Sequence, residues 1–228
     1  VGFDGVCYPL GGLCELRFTT TWLGARTPIA GIAWVYEGEI IDAKHMNLKI
    51  VIRSETEADV SAISEVTVAA FKTLEISGHT EQFIIEALRA AKVLAVSLVA
   101  EMDGRIIGHV AFSPVTISDG TRDWYGLGPI SVLPAHQRQG IGEALIREGL
   151  SRLRDMNAQG CCLVGHPDYY RKFGFKNISG LVHEGVPQEV FFALSFDGRY
   201  PQGTVVFHEG FKADGRQDDA GNGGSRRV

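Results

Sequence analysis

The run Gly128-Pro-Ile-Ser-Val-Leu-Pro-Ala-His-Gln-Arg-Gln-Gly-Ile-Gly-Glu-Ala-Leu145 changes character twice. It opens extended and apolar, stops at Leu133 and Pro134, crosses a polar loop, and begins a helix near Gly140. Gly140 and Gly142 have no side chains, so the chain can turn tightly there and leave its N–H groups uncovered. Bare N–H groups at a helix N-terminus attract anions, a pyrophosphate in particular. Arg138 adds a mobile positive charge at the rim. Two common phosphate readings fail on the residues. Gly-x-x-x-x-Gly-Lys-Ser/Thr is absent, and Leu145 stands where a dinucleotide fingerprint needs its third glycine. Taken alone, the turn also fits an ordinary glycine-containing helix start.

Working outward, residues 48–53 form an apolar run that reads as a strand. Ser54-Glu-Thr-Glu57 reads as a capping box. It opens a helix with Val60, Ile63, Thr67, Ala70, Phe71 and Leu74 on one side. Residues 79–91 read as a second helix, with Phe83, Ile84, Ala87, Leu88 and Ala91 at helical spacing. Residues 95–102 and 105–115 flank Asp103-Gly104, a hairpin with a type I′ turn. Glycine and proline interrupt the extended run 124–133, which signals a bulge or a parting of neighbours. Residues 141–156 form a helix facing inward with Ile141, Leu145, Gly149, Leu153 and Met156. A strand at 160–164, a short helix at 167–173, and strands at 188–196 and 204–208 complete the unit. The expected class is α/β: a mixed sheet, antiparallel in its first half and parallel β-α-β in its second.

Gln137-Arg-Gln-Gly140-Ile-Gly142, directly after a strand ending Ile-Ser-Val-Leu-Pro134, resembles the Gln/Arg-x-x-Gly-x-Gly/Ala signature of the GNAT superfamily of acyl-CoA-dependent N-acyltransferases. Tyr169-Tyr170-Arg-Lys-Phe-Gly-Phe175 resembles that family's Tyr-x-x-x-Gly-Phe ending. Element order agrees from the strand near Leu48 to the one near His208. Leu127-Gly-Pro-Ile-Ser-Val132 and Gly185-Val-Pro-Gln-Glu-Val190 are similar to a bacterial subgroup of acetyltransferases whose substrates are mostly unassigned.

The resemblance implies a GNAT-like sheet with helices on both faces and central strands splayed, the strand through Gly128-Pro129 parting from the one ending Val164-Gly165. Acetyl-CoA is the implied co-substrate. Backbone N–H groups of Gln137, Arg138, Gln139, Gly140, Ile141 and Gly142 would hold its pyrophosphate. Ile130 and Val132 would pair with the pantetheine arm as an added strand pairs with a sheet edge. Backbone N–H groups from Ile130 through Ser131 to Val132 would face the oxyanion. Tyr170 would protonate the departing sulfur, with Tyr169 pointing elsewhere as a structural residue. The implied reaction is acetyl transfer to a primary amine of a small molecule or protein; the alternative is a non-catalytic acyl-CoA-binding regulatory module. The glutamate that many members carry on the splayed strand would fall at Gly128, Pro129 or Ile130, and none of these is a carboxylate. Glu101, Asp123, His109 and His166 are the remaining candidate bases. The acceptor pocket is expected from the two early helices, especially their 72–82 connection, and from the last strands.

Composition bounds the partners. The 228 residues are 45% hydrophobic and 21% charged, with net charge −5. Residues 1–45 carry five acids against three bases and residues 213–228 balance three against three, which leaves the central segment at −3. A nucleic-acid partner would want a basic excess, so none is expected. No apolar run approaches the roughly 18 residues of a membrane span. No metal is expected either, since His166-Pro-Asp168 is too compact a set of ligands. Four cysteines, two of them adjacent, read as reduced thiols and suggest the cytoplasm. A homodimer is a common state for such folds. Residues 1–45 show no sustained period and read as an irregular extension, upstream of a native start at Met46. Residues 46–212 then form the N-acetyltransferase domain, and 213–228 a disordered tail.

Overall fold

The computed structural model describes residues 50–72 and 78–216, with the backbones of four short strands nearer the N-terminus. The chain divides into two units, Val1–Asn47 and Leu48–Val228. In the first, β1 (Pro9–Leu10) pairs antiparallel with β2 (Leu13–Cys14), and β3 (Ala33–Tyr36) with β4 (Glu39–Asp42). Met46, Leu74, and the tail from 217 onward lie outside the described residues. Ala213 to Arg216 are described, and Gly215 lies against the Phe83 ring.

The second unit runs β5 (Ile50–Ser54), α1 (Val60–Phe71), α2 (Glu81–Ala90), β6 (Val96–Met102), β7 (Arg105–Pro114), β8 (Thr116–Ile117), β9 (Trp124–Val132), α3 (Ile141–Asp155), β10 (Gly160–Val164), α4 (Pro167–Tyr170), β11 (Leu181–Val182), β12 (Phe191–Ser195) and β13 (Gly203–Val206). The main sheet has the order β12-β10-β9-β7-β6-β5, and only β9 and β10 are parallel. Between those two strands lies α3, the expected β-α-β crossover. Asp103 (φ 50°) and Gly104 (φ 74°) are both left-handed, as a type I′ hairpin between β6 and β7 requires.

Alternation along β6 places the helices. Leu98 and Ala100 join the cluster of Phe112, Leu145, Ile146 and Leu153 under α3. Val99, between them in sequence, packs with Ile63 of α1 and Ile85 of α2 on the opposite face. Period-two side chains on one strand thus bury helices on both faces of the sheet.

Several local expectations shift. The helix-opening box is Thr56 with Asp59, not Ser54 with Glu57. Ser54 remains in β5, paired with Leu98. Asp59 accepts from the Thr56 N–H at 2.7 Å and from both terminal nitrogens of Arg53 at 2.7 and 2.9 Å. The Arg53 guanidinium, against the opposing effect of burial, holds the Asp59 carboxyl well below the usual range. On α1, Val66 is buried with Ile63, Thr67 and Ala70, whereas Val60 and Phe71 are half-buried. Helix α2 starts at Glu81 and buries Ile85 and Leu88. Its Ala87 and Leu88 meet Gly210, in a 3-10 turn at Glu209–Lys212, so the expected inward face is shared with that turn. Met156 lies past α3 and is exposed. Residues Gln188–Val190 form a 3-10 turn before β12. Strand β13 leaves the main sheet and pairs with β8 and β11 in a sheet of its own.

Candidate active site

Strand β9 keeps one neighbour and loses the other. Its pairing with β7 runs to Val132, with a register shift that sets Gly128 and Pro129 opposite Ala111. Its parallel pairing with β10 ends at Gly126 and Cys162. Beyond that point Leu163 and Val164 pair only with Phe192 and Phe191 of β12. The gap opens where Pro129 has no N–H to donate. The two strands part where the sequence placed the splay.

At the end of β9 a 3-10 turn, Pro134–His136, leads to a loop with Arg138 at φ 60° and Gly140 at φ 84°. No side chain caps α3, and a Cβ at Gly140 would meet open space. Ile130, Ser131, Val132, Gln137, Arg138 and Gly142 line one depression of about 260 Å³, joined by His136 and Tyr169. Gln139 and Gly140 belong to the same turn without lining it, and the Ile141 side chain is buried in the core. The Val132 carbonyl already accepts from Gln137 Nε2 at 3.0 Å. The Ser131 hydroxyl lies 3.2 Å from that of Thr67, under α1.

The adjacent tyrosines divide between two spaces. Tyr169, expected to point away from Tyr170, does so: it enters the depression, and its hydroxyl would lie 2.9 Å from a Cβ at Gly142. Successive residues on a helix point about 100° apart, so Tyr170 faces another way. It lines a cavity of about 650 Å³ that also touches Leu127, Gly128, Pro129, Ile130 and Val164. Ile130 is common to both spaces. A side chain at Gly165 would fall on the Tyr170 ring, so that glycine makes room for it. Burial, with Tyr169 and Cys161 nearby, pushes the Tyr170 hydroxyl pKa up and keeps its proton on through neutral pH.

The far walls of the larger cavity come from Phe71 at the end of α1, Glu81 and Ile84 of α2, β13, and the segment 207–212. Phe207 and Phe211 rings stand 5.0 Å apart above Gly126 and Gly128. His183, Glu184 and His208 line the same space. Sequence reasoning missed these three, which reach the cavity through long-range pairing and carry no local motif.

None of the four candidate bases lines this cavity. Glu101 accepts from Arg53 Nε at 2.7 Å. Asp123 turns the chain into β9 with φ 60°. His166 precedes α4 as its N-cap residue. His109 is wholly buried, its Nε2 2.8 Å from Ser97 Oγ, which in turn donates to Glu55. Because the Ser97 hydroxyl donates its hydrogen bond to Glu55, its oxygen accepts from His109 Nε2–H, and His109 Nδ1 is left without a partner. Burial lowers the His109 pKa below 6.5, only partly offset by Glu55. As pH falls below that value the unfolded chain binds a proton that the folded one refuses, so stability must drop. Thermal melts between pH 8 and 5 should show a decline beginning near pH 6.5, at up to about 1.4 kcal/mol per unit. His109→Gln keeps the donor to Ser97 and should flatten that slope.

The family model for the acetyltransferase (GNAT) domain matches residues 94–177. The uncharacterized N-acetyltransferase YhbS of Escherichia coli (strain K12) is 31% identical over 128 residues, 56% of this chain and 74% of YhbS. The chain belongs to the GNAT acetyltransferase family. It is an acetyl-CoA-dependent acyltransferase. A GNAT family acetyltransferase from Brucella melitensis, solved in complex with acetyl-CoA, is 48% identical with a TM-score of 0.65, covering 72% of this chain and 99% of that one. Crystalline YhbS in complex with CoA gives a TM-score of 0.68 at 28% identity, covering 74% and 94%. Among the described residues this GNAT chain gathers no cluster of three or more His, Cys, Asp or Glu that could hold a metal, and none of its helices is long and apolar enough to cross a membrane.

Proposed function

We propose that the chain transfers the acetyl group of acetyl-CoA to a primary amine held in the larger cavity. The observation that carries this reading is the one-sided strand β9. Its free side runs between a depression at an uncapped helix start and a cavity of about 650 Å³, and the two spaces meet at Ile130.

In this reading residues 138 to 142 present N–H groups to the CoA pyrophosphate, with Arg138 at the rim; the expected Gln137 N–H is instead taken by the Pro134 carbonyl. The pantetheine lies along Ile130 and Val132 in the place of the missing strand. The thioester carbonyl then faces a backbone N–H of Ile130 or Val132, which point to the free edge while Leu133 donates to β7, and that donor stabilises the oxyanion. Tyr170, on the cavity wall, gives its proton to the departing sulfur. The absent carboxylate at 128–130 leaves the proton acceptor to another group on the cavity wall. Calorimetry with CoA, followed by thiol release from acetyl-CoA across a panel of primary amines, tests the reading. No CoA binding, or binding without thiol release from any primary amine, defeats it.

Gly142→Asp tests the phosphate half. A Cβ there makes the Tyr169 hydroxyl shift, but an acid in the first helical turn is ordinarily stabilising, so the melting temperature should change little. The same carboxylate would repel a diphosphate, and CoA affinity should fall about thirty-fold, or about 2 kcal/mol, by calorimetry.

A further inference from the structure

We propose that His183 is the general base, its Nε2 taking a proton from the attacking amine. The proposal rests on the acetyl-transfer reading and supplies the group that the sequence motif lacks. His183 follows β11, which pairs in parallel with β13, and the ring lies between Phe207 at 5.0 Å and Phe191 at 6.0 Å. Phe191 is the β12 partner of Val164, at the parted end of β10. His183 thus lines the same cavity as Pro129, Ile130 and Tyr170.

The tautomer decides the role. His183 Nδ1 lies 2.9 Å from the Val205 carbonyl oxygen. That oxygen can only accept, so Nδ1 carries the proton and neutral His183 keeps a lone pair on Nε2. His208, on the same wall, is arranged the other way. Its Nδ1 accepts from the Gly210 N–H at 3.1 Å, so its Nε2 bears the proton and is a donor. Tyr170 holds its proton and cannot accept one. A backbone carbonyl fixing one imidazole nitrogen so that the other stays basic is a recurrent arrangement in proton transfer. The other charged groups on the cavity are Glu81 of α2, Glu184 beside His183, and Lys212; the two acids favour an incoming ammonium.

The ammonium gives one proton to His183 Nε2, and the freed lone pair forms the N–C bond at the thioester carbonyl. The oxyanion collapses, and as the C–S bond breaks the Tyr170 proton passes to the departing sulfur. The nitrogen's surplus proton restores Tyr170, and imidazolium His183 releases its proton to water.

His183→Asn is the selective variant, because its side-chain amide can still donate to Val205 while the Nε2 lone pair is gone. The full chain is assayed for thiol release with acetyl-CoA and 2-phenylethylamine, an apolar amine suited to Phe207 and Phe211. Imidazole 15N spectra of the free protein are recorded in parallel. The variant should lose about 10²-fold in kcat with CoA affinity within about twofold. The acid limb of its kcat/KM profile should give way to a rate rising tenfold per pH unit, and added imidazole should restore turnover. The spectra should show His183 protonated at Nδ1 with an unprotonated Nε2. A wild-type rate and pH limb in the variant, or a proton on Nε2 of neutral His183, overturns the proposal alone. Wild-type protein that binds CoA and releases no thiol with any amine overturns the acetyl-transfer reading and this proposal together.

Discussion

Tyr170→Phe is expected to lower kcat about a thousand-fold, within the range for losing a positioned proton donor, while leaving CoA affinity unchanged. Only an oxygen is removed. The ring still fills the space that Gly165 provides and still meets Tyr169 and Phe175 edge-on, at 5.1 and 6.2 Å. A lost fold therefore cannot mimic a lost acid. The raised pKa has two consequences. The proton is present at every physiological pH, so the rate should not fall through titration of Tyr170 below pH 9. The same shift makes the phenol a weaker acid than a thiol, near 8.5 unperturbed, so delivery must accompany C–S cleavage rather than follow it. Steady-state thiol release with calorimetry on both proteins checks this. Unchanged turnover would remove Tyr170 from the mechanism.

Gly149→Val should destabilise the domain by about 3 kcal/mol, at the upper end for forcing methyl groups into a packed core. Helix propensity alone gives the opposite sign, since glycine is the poorer helix former by up to about 0.5 kcal/mol relative to valine. Packing wins because a Cβ at position 149 would collide with the edge of the Phe112 ring, and Phe112 is wholly buried between α3 and the sheet. The ring has nowhere to retreat, with Leu98, Val110, Leu145 and Leu150 in the same cluster. Set against a typical stability of about 5–15 kcal/mol, the loss is large. Urea titration should show a lower midpoint with an unchanged slope. A midpoint equal to wild type would mean the α3 and β7 contact is not as described.

The parts readable from sequence are those whose cause is local. Asp103-Gly104 can hardly be other than a hairpin turn, and Gly140 with Gly142 announces an exposed helix start. The capping box shows where local reading loses. Ser54 with Glu57 and Thr56 with Asp59 satisfy the same pattern, and the choice falls to β5 pairing with β6 through Ser54. That Tyr169 enters the depression is not legible, because nothing in the motif says that Gly142 lies beside its hydroxyl. His183 was invisible for a stronger reason. Its hydrogen-bond partner Val205 is 22 positions away and arrives through the β11 and β13 pairing, which a two-residue strand does not advertise.

The one-turn helix α4 has a consequence for how such a protein diversifies. Consecutive side chains, Tyr169 and Tyr170, address different chambers. The depression is framed by β9 and the start of α3, whereas the larger cavity takes its outer lining from α2, β13 and residues 207–212. Those outer segments do not line the depression, so they can be exchanged like an interchangeable tool head. In the acetyl-transfer reading such an exchange would change the molecule modified and leave the handle as it is.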